Sequence, residues 1–530
     1  MIDGSIGLVE ADNPTLKAYS TWKNCSQPIS DLKFSPDGKL LSAGSEDGNI
    51  YNYICNDDHK TFRRLSVCRG HCGSITHIDF SSNSQYIQSN GSDSTLLFWD
   101  VQGNQIKSAS SLRDITWATL TCVMGWAVQG IVDGGGCCVD DINSCSAVPE
   151  VGDIVTGTAD HCVKLYRYPS LHPGSLHQSY RGHASTVTCV RFSYNRRHVI
   201  SLGGDDCTVL LWEHTMEHGE SSGDDEPGPH SKKDSKSADT RNEIGDVGPR
   251  SLLQEAINSN QPTEVTAQIA KLEGPQRDRG TRAVQPWKRA ISEPSSWTPA
   301  LGGTDVDLNL QWIHGYRAYD CRNNVRYSAA GLIVYSAAAV GVVYSKSAGK
   351  QKFYVGAHSD DIISVAAHPS GQLFATGETG RQPSILVWNS QDMRTVARLD
   401  LSHRFGVPLL SFNSKGDLLG SVGLDDDHTL VVHDWSQNIT LFRTPTDKRD
   451  VLCMCYLTDN LSDIKSTLPF TVPAINYLNT SATHNIIVTA GYKHVKFWWG
   501  QGQNVSSQRG IFGKEIRDTI MCVASGSRGE

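Results

Sequence analysis

Residues 68–100 read CRGHCGSITHIDFSSNSQYIQSNGSDSTLLFWD, and this stretch decides the fold. A Gly-His pair opens it, two segments with alternating apolar residues follow, and a Trp-Asp pair closes it. Alternation with a period of two is typical of β-strands that bury one face. The apolar residues Ile75, Ile78 and Phe80 therefore predict a sheet whose one face packs against a neighbouring sheet.

The same frame recurs along the chain, so it is a repeat and not a single hairpin. The position of the closing Trp is occupied in successive copies by Tyr53, Trp99, Tyr166, Trp212, Trp388, His433 and Trp498. Up to Trp212 the intervals are 46, 67 and 46 residues, and from Trp388 onward they are 45 and 65 residues. The intervals of 67 and 65 residues each hold an extra loop. A period near 40–45 residues with Gly-His and Trp-Asp is the signature of WD40 repeats, in which four strands form one blade of a β-propeller.

WD40 blades carry a hydrogen-bonded set of a His, a strand Ser or Thr, a turn Asp and the closing Trp. The matching residues here are His71, Ser89, Asp93 and Trp99. In the copy at 181–213, His183, Asp206 and Trp212 match but Leu202 stands where we expect the Ser, so the set is predicted to be complete only once. A His-Ser-Asp trio also occurs in hydrolases. No G-x-S-x-G motif accompanies it, and we interpret the trio as blade scaffolding.

Composition excludes several classes of protein. The 530 residues include 48 Lys and Arg against 56 Asp and Glu, and this net charge of −8 argues against a dedicated nucleic-acid binder. The longest apolar run, 329–344, is shorter than the roughly 18–20 residues of a membrane-spanning helix. The first residues do not resemble a signal peptide. We therefore expect a cytoplasmic protein that contacts neither nucleic acid nor membrane.

The sequence offers no metal site, cofactor site or catalytic motif. The 15 cysteines include no C-x-x-C pair, and in a reducing compartment we expect them to be buried thiols. No phosphate-binding loop or H-E-x-x-H motif occurs, and the run Asp425–Asp427 falls at a predicted blade turn. We predict a protein that is not an enzyme and binds no cofactor.

The repeat stops in the middle of the chain, where we predict a disordered or partly helical linker at 214–303. Residues 213–250 contain ten acidic and five basic side chains and few large apolar ones, a composition that cannot bury a core. A basic stretch follows, consisting of Arg277, Arg279, Arg282, Lys288 and Arg289. It is interpreted either as a solvated linker or as a contact to an acidic partner by charge steering.

The linker also contains a candidate modification site. Ser292 has Arg289 at position −3 and Pro294 at position +2. This spacing is similar to that of sites bound by phosphoserine-reading domains. Ser292 is therefore a candidate phosphorylation site.

Residues 310–324 read LQWIHGYRAYDCRNN and resemble the HELP motif of the echinoderm microtubule-associated protein-like family. The matching residues are Trp312, Gly315, Tyr316, Arg317, Asp320, Cys321, Arg322, Asn323 and Asn324. Ala318 and Tyr319 depart from the family's usual Gly and Arg. We expect a mostly structural role for this motif, with Trp312, Tyr335 and Val343 in the propeller core, because the segment alternates like strands. The alternative is direct contact with tubulin.

The resemblance extends over most of the chain and implies its organisation. It predicts blades like those of the family's second propeller at 1–213, the linker at 214–303, the HELP motif at 304–350, and the first blades of a first propeller at 351–530. This order resembles the junction between two units of the long, multi-unit members, of which the chain would be a piece. The fold class is thus all-β, with WD40 blades in two propellers, complete or open. Two open arcs are favoured over one composite ring of about eight blades.

The resemblance implies a non-enzymatic scaffold that binds tubulin and microtubules and is located in the cytoplasm on the microtubule cytoskeleton. The alternative is a general WD40 adaptor that binds other proteins through its propeller faces without contacting tubulin, because fold does not fix function. Binding is expected to be weak or conditional, since the net charge of −8 opposes an acidic microtubule surface.

Overall fold

A computed structural model describes most of the repeat-containing chain. The described residues are 3–9, 18–23, 25, 27–56, 61–132, 141–216, 286–297, 302–322, 324–400, 402–457, 486–501, 504–510 and 518–524. The chain divides into two units, one formed by Met1–Glu217 with Pro286–Glu530 and the other by His218–Gln285. All elements below belong to the first unit, and most of the predicted linker lies outside the described residues.

Antiparallel sheets follow one another along the first half of the chain, each forming one blade. A two-stranded sheet comes first, with β1 (Ser5–Val9) and β2 (Ala18–Lys23). Blade 1 contains β3 (Ile29–Phe34), β4 (Leu40–Ser45), β5 (Asn49–Cys55) and β6 (Phe62–Arg69). Blade 2 contains β7 (Ile75–Phe80), β8 (Tyr86–Gly91) and β9 (Leu96–Asp100). Blade 3 contains β10 (Ile142–Val148), β11 (Asp153–Thr158), β12 (Cys162–Arg167) and β13 (His177–Arg181).

Blade 4 is assembled from two separate parts of the chain. Its strands are β14 (Val187–Phe192), β15 (His198–Gly203), β16 (Val209–Met216) and β17 (Val306–His314). The first three precede the segment 217–285 and the fourth follows it. The register runs from Val209 opposite His314 to Met216 opposite Val306. The outer strand of this blade is therefore the beginning of the HELP segment.

Four further blades continue the series. Blade 5 contains β18 (Val325–Tyr327), β19 (Ile333–Ala337), β20 (Val340–Ser345) and β21 (Lys350–Tyr354). Blade 6 contains β22 (Ile362–Ala367), β23 (Leu373–Gly380), β24 (Ile385–Asn389) and β25 (Thr395–Leu399), with β26 (Phe405–Gly406) paired to β23. Blade 7 contains β27 (Leu409–Phe412), β28 (Leu418–Val422), β29 (Leu430–Asp434) and β30 (Ile439–Thr444). Blade 8 contains β31 (Val451–Tyr456), β32 (Ile487–Gly491), β33 (His494–Gln501) and β34 (Asn504–Arg509).

These sheets confirm the prediction of an all-β fold built from WD40 blades. The predicted boundaries at 303/304 and 350/351 do not coincide with blade boundaries, and the predicted division into domains stays a prediction. The HELP segment supplies β17 to blade 4 and then begins blade 5, and β21 starts at Lys350. A strand cannot leave its backbone groups unpaired when buried, so blade membership follows strand pairing and not the sequence motif. The preference for two arcs over one ring stays a prediction.

The core lies between successive blades. One cluster joins Val190, Val199 and Leu210 of blade 4 to Ala337 and Val342 of blade 5, all at most 1% exposed. Valine and isoleucine dominate these faces because β-branched side chains fit the pleated surface of a sheet.

The extra residues of the first long interval cover blade 2. They include 3₁₀-helices at Ala109–Leu112 and Trp126–Val128 and the one-turn helix α1 (Gln129–Val132). Asp79 on β7 anchors this connection, although it is a fully buried carboxylate. It accepts hydrogen bonds from the Thr121 backbone N–H at 2.9 Å and the Cys122 backbone N–H at 3.0 Å. These bonds offset the cost of burying a charge.

Candidate functional site

The predicted blade 2 set forms a connected hydrogen-bond network. Ser89 Oγ lies 2.8 Å from His71 Nε2 and accepts a hydrogen bond from Trp99 Nε1 at 2.8 Å. Asp93 lies 3.4 Å from His71 Nδ1 and accepts the Cys72 backbone N–H at 2.8 Å. Burial lowers the pKa of His71. The neutral imidazole and the indole are thereby held at one serine oxygen.

The geometry of Ser89 fits a scaffold and not a nucleophile. Ser89 is fully buried, and its hydroxyl oxygen is occupied by the indole N–H of Trp99. A catalytic serine must reach a substrate carbonyl from an accessible position.

Blade 4 carries the same set, which corrects the prediction that it lacks its serine. Ser201, and not Leu202, is the acceptor: it lies 2.8 Å from His183 Nε2 and accepts the Trp212 indole N–H at 2.9 Å. Ser201 stands two residues before Gly203, as Ser89 stands two residues before Gly91. Counting from the glycine would have found it.

A third set occurs in blade 6 with two substitutions. His358 Nε2 lies 2.7 Å from Thr376 Oγ1, which also accepts the Trp388 indole N–H at 3.2 Å. Glu378 takes the place of the turn Asp, with Oε2 3.0 Å from His358 Nδ1. Burial raises the pKa of Glu378, but the hydrogen bond and charge of His358 outweigh this effect, so the pKa is lowered overall. The sequence pattern missed this set because it required Asp.

Blade 7 keeps the His and the Ser of the pattern but lacks its tryptophan. His403 Nε2 lies 2.7 Å from Ser421 Oγ, but His433 replaces the tryptophan and supplies no donor to that oxygen. His403 Nδ1, His433 Nε2 and Asp425 Oδ2 are buried without a hydrogen-bond partner. Burial lowers the pKa of His403 to about 3 and that of His433 to about 4.

The HELP segment begins as strand β17, whose side chains change phase at a bulge. Trp212 lies opposite Leu310 and Leu211 opposite Trp312, so Gln311 is the extra residue. Such a bulge shifts the alternation of side chains by one. Ile313 is therefore buried at 1% exposure while Trp312 is half-buried.

The expected burial of three HELP-region residues holds for only one of them. Val343 lies in the core at 2% exposure. Trp312 and Tyr335 are half-buried, which corrects the expectation that both lie in the core. The bulge in β17 accounts for Trp312, and its ring lies edge-on to Tyr344 at 6.0 Å between centroids.

Arg317 ties the HELP loop to blade 6. Its guanidinium donates to Asp320 through Nε at 2.8 Å and Nη2 at 2.7 Å, and through Nη1 to Asp361. The hydrogen bonds with Asp320 raise the pKa of Arg317. Burial raises the pKa of Asp361, although Arg317 acts in the opposite direction. A planar guanidinium can serve two carboxylates in this way, whereas an ammonium offers no such fork.

Other HELP residues bind one another. Asn324 is 2% exposed, donates to the Arg317 carbonyl at 2.8 Å and accepts the Tyr316 hydroxyl at 2.5 Å. Burial raises the pKa of Cys321 to about 12. Arg322 donates to Met521 Sδ at 3.5 Å. Asn323 lies outside the described residues.

Gly315 marks the point where the chain leaves blade 4. It has φ of +144°, and a Cβ atom there would lie 2.7 Å from Thr208 Cγ2. Aromatic rings are exposed both in the loop that follows and on β18, where Tyr319 and Tyr327 are 75% and 69% exposed, respectively. Tyr319, one of the residues that depart from the family pattern, lies under the Arg317 guanidinium at 5.1 Å.

The basic stretch is only partly described. Lys288 and Arg289 are exposed at the end of a 3₁₀-helix, Pro286–Arg289, whereas Arg277, Arg279 and Arg282 lie outside the described residues. Ser292 is half-buried. The sequence interpretation missed Trp287, which is fully buried among the residues of blades 2 and 3. A lone tryptophan in a polar, charged segment was the available signal.

Two negative findings apply to the described ranges. Within them, no group of three or more His, Cys, Asp or Glu side chains is placed to hold a metal ion. The helices in the same ranges include none long and apolar enough to cross a membrane.

The repeated four-stranded blades and their His-Ser/Thr-Trp sets define the chain as a WD40 β-propeller protein. Three family models match it. One, described as the echinoderm microtubule-associated protein second beta-propeller, matches residues 1–214. The HELP motif matches residues 304–342, and the WD domain, G-beta repeat, matches residues 349–389.

Named relatives point to the same family. The chain is 36% identical over 204 residues to human echinoderm microtubule-associated protein-like 3, a match that covers 38% of this chain and 22% of that protein. It is 36% identical over 206 residues to echinoderm microtubule-associated protein-like 2 of Rattus norvegicus, covering 39% of this chain and 31% of the relative. The chain is thus similar to the echinoderm microtubule-associated protein-like family over these ranges, and the matches span less than a third of these relatives' length.

Proposed function

We propose that the chain is a non-enzymatic scaffold that binds tubulin or microtubules, located on the microtubule cytoskeleton of the cytoplasm. The observation that carries this proposal is the HELP strand β17, which completes blade 4 of a segment that matches the second-propeller model of a microtubule-associated family. The relatives' printed names support association with microtubules. No cofactor enters the proposal.

The contact is proposed to lie on the loops of the propeller faces together with the basic stretch, and not in the HELP loop. The basic stretch consists of Arg277, Arg279, Arg282, Lys288 and Arg289. This placement is supported by the internal use of the HELP side chains, because Arg317 and Asn324 are bonded to residues of this chain. Loops carried on a rigid scaffold are the usual place for binding residues. Exposed Tyr319 is the strongest competing contact in the HELP loop.

Microtubule co-sedimentation at low and high salt tests the proposal. We expect the folded chain to pellet with microtubules at low salt and less at high salt, because exposed charge pairs are screened by ions. Tyr319→Ala should pellet like the wild type, whereas neutralising Lys288 and Arg289 together with Arg277, Arg279 and Arg282 should weaken pelleting. Failure of the folded chain to pellet or to bind soluble tubulin would refute the proposal.

A second candidate is a WD40 adaptor for other proteins, favoured by the net charge of −8. Like charges across an interface suppress association with an acidic surface. The adaptor predicts no pelleting at any salt concentration and a partner retained on the exposed propeller loops. Affinity capture with the same folded chain distinguishes the two, because the tubulin scaffold must retain tubulin.

A further inference from the structure

Residues 286–297, here termed the docked segment, lie against blades 2 and 3. Trp287 is fully buried in the same hydrophobic cluster as Phe98 and Tyr166, and its backbone N–H donates to the Ser94 carbonyl at 3.2 Å. At the other end, the Ser295 backbone N–H donates to the Asp114 carboxylate at 2.7 Å. The segment is thus held at two points on the first half of the chain.

The contact between the docked segment and the blades leaves one polar group without a hydrogen bond and one cavity unfilled. Trp287 Nε1 is buried without a hydrogen-bond partner. A cavity of about 500 Å³ remains between the docked segment and the blades, lined by Trp117, Trp126, Tyr168 and Ser292 among others. The unpaired buried donor destabilises the docked state relative to a released one, and the open cavity means that the segment buries only part of the apolar surface beside it. The two states are therefore expected to lie close in free energy.

Ser292 lies at the centre of this segment, and the residues around it resemble a recognition sequence for a serine kinase. Its side chain is half-buried and lines the cavity. Arg289, three residues before it, and Lys288, four before it, are exposed. Protein kinases that prefer basic residues upstream recognise their substrates by such charges.

We propose that Ser292 is phosphorylated by a serine kinase selecting Arg at position −3, and that phosphorylation releases the docked segment. In this step Ser292 Oγ bonds to the γ-phosphorus of ATP, the bond from that phosphorus to the ADP oxygen breaks, and the serine proton passes to the kinase base. The products are phosphoserine and ADP. Docking and phosphorylation are mutually exclusive states of Ser292.

The cavity is a poor site for a phosphate. A phosphoserine carries about −1.5 to −2 charges at pH 7. The rings of Trp126 and Tyr168 offer no charge to compensate, and the Asp114 carboxylate that holds Ser295 repels it. Arg113 lines the same cavity, but its guanidinium pairs with Asp114 at 3.4 Å. The phosphate is therefore more stable in water than in the docked position.

The test uses the full chain, a kinase of the stated specificity and Mg-ATP. Mass spectrometry follows phosphate on Ser292, and hydrogen exchange follows the amides of Trp287, Ala290 and Ser295. Phosphorylation is expected to raise exchange across the docked segment at least about tenfold, because released amides lose their partners. Ser292→Glu should reproduce part of this increase, and Ser507→Glu on exposed β34 should not.

A second variant tests the coupling in the other direction. Trp287→Ala removes the buried anchor, so Ser292 phosphorylation should become at least about tenfold faster, because the kinase acts on the released state. An unchanged global melt shows that the blades of this variant are folded. Arg289→Ala should slow the reaction, and Ser292→Ala should abolish the phosphate at this position.

Two results would overturn the proposal. If neither the wild type nor folded Trp287→Ala accepts phosphate on Ser292, the site assignment is wrong. If Ser292 is fully phosphorylated while the docked segment keeps its exchange protection, the cavity holds the phosphate, with Arg113 as its partner, and the release mechanism is wrong. Neither result depends on tubulin binding.

Discussion

Ser201 is the single acceptor on which two buried side chains of blade 4 depend. Its oxygen receives the Trp212 indole N–H and lies within hydrogen-bond distance of His183 Nε2. Asp206 contacts the second nitrogen of the imidazole, with a carboxylate oxygen 3.1 Å from Nδ1. Although burial raises it, the hydrogen bond and charge of His183 lower the pKa of Asp206 overall. The polar chain from carboxylate to indole is therefore continuous through one hydroxyl.

Removing that hydroxyl should destabilise the protein. Ser201→Ala leaves the Trp212 N–H and one imidazole nitrogen buried without a partner, which costs about 1–3 kcal/mol. Ser179→Ala, at an exposed position of β13, should stay within about 0.5 kcal/mol of the wild type. Urea unfolding followed by circular dichroism measures both. Equal midpoints for the two variants would contradict the role assigned to Ser201.

At the scale of a single blade, blade 7 stands apart because its polar set is unfinished. The His433 side chain is 3% exposed, as is that of His403, yet each has a ring nitrogen without a partner. Neutral imidazoles are tolerated there, whereas protonated ones would be buried charges. Among the blades that carry a His-Ser or His-Thr set, blade 7 is therefore the one whose free energy of unfolding is expected to depend most strongly on pH.

The pH dependence has a defined sign. The unfolded chain binds protons on these histidines near pH 6.5, but the folded chain binds them only near pH 3 for His403 and near pH 4 for His433. Stability should fall as pH decreases from about 6.5 to about 4, because the unfolded state binds more protons there. His433→Phe should reduce this fall, and His172→Gln, at an exposed position, should not. Thermal melts between pH 7.5 and 4.5 measure the difference, and parallel curves for wild type and His433→Phe would refute it.

Strand β17 can complete blade 4 because the residue that follows it, Gly315, has no side chain and lets the chain turn away from the blade close to Thr208. Gly315 combines φ of +144° with a close approach to Thr208, whose hydroxyl lies 3.1 Å from His183 Nδ1 in the blade 4 set. Any Cβ at this position must displace Thr208. The HELP loop is thereby coupled to the polar set of the preceding blade.

Alanine at this position should be costly for two separable reasons. Gly315→Ala adds a backbone penalty and a steric clash, and the clash should add about 1–3 kcal/mol. Gly331→Ala provides the matched control, since its φ is +73° and nothing lies within 4 Å of the added Cβ. Chemical unfolding compares the two variants. A Gly315→Ala variant no less stable than Gly331→Ala would show that the Thr208 contact is dispensable.

At the scale of the whole molecule, the repeat predicted the blades but not how the chain shares them. The Gly-His and Trp-Asp pattern is local in sequence. It therefore identifies the strands of blades 2 and 4 that follow one another directly along the chain. The pairing of β16 with β17 joins residues separated by nearly a hundred positions, and no local period encodes it. The sequence pattern did not predict the burial of Trp287 and Asp79 for a related reason. Each is buried by residues that are distant from it in the sequence.

The shared blade makes a prediction about the connectivity of the molecule. Residues 218–285 form a unit of their own, while β17 and Trp287 bind the first half from beyond it. A protease site inserted within 218–285 should therefore give two fragments that stay together after cleavage. They should elute as one species in gel filtration and separate in urea, because eight residue pairs of β16 and β17 and the Trp287 contacts hold them without the peptide bond. Combining the cut with Trp287→Ala should lower the urea concentration at which they separate, and separation of the wild-type fragments in native buffer would contradict this account of blade 4.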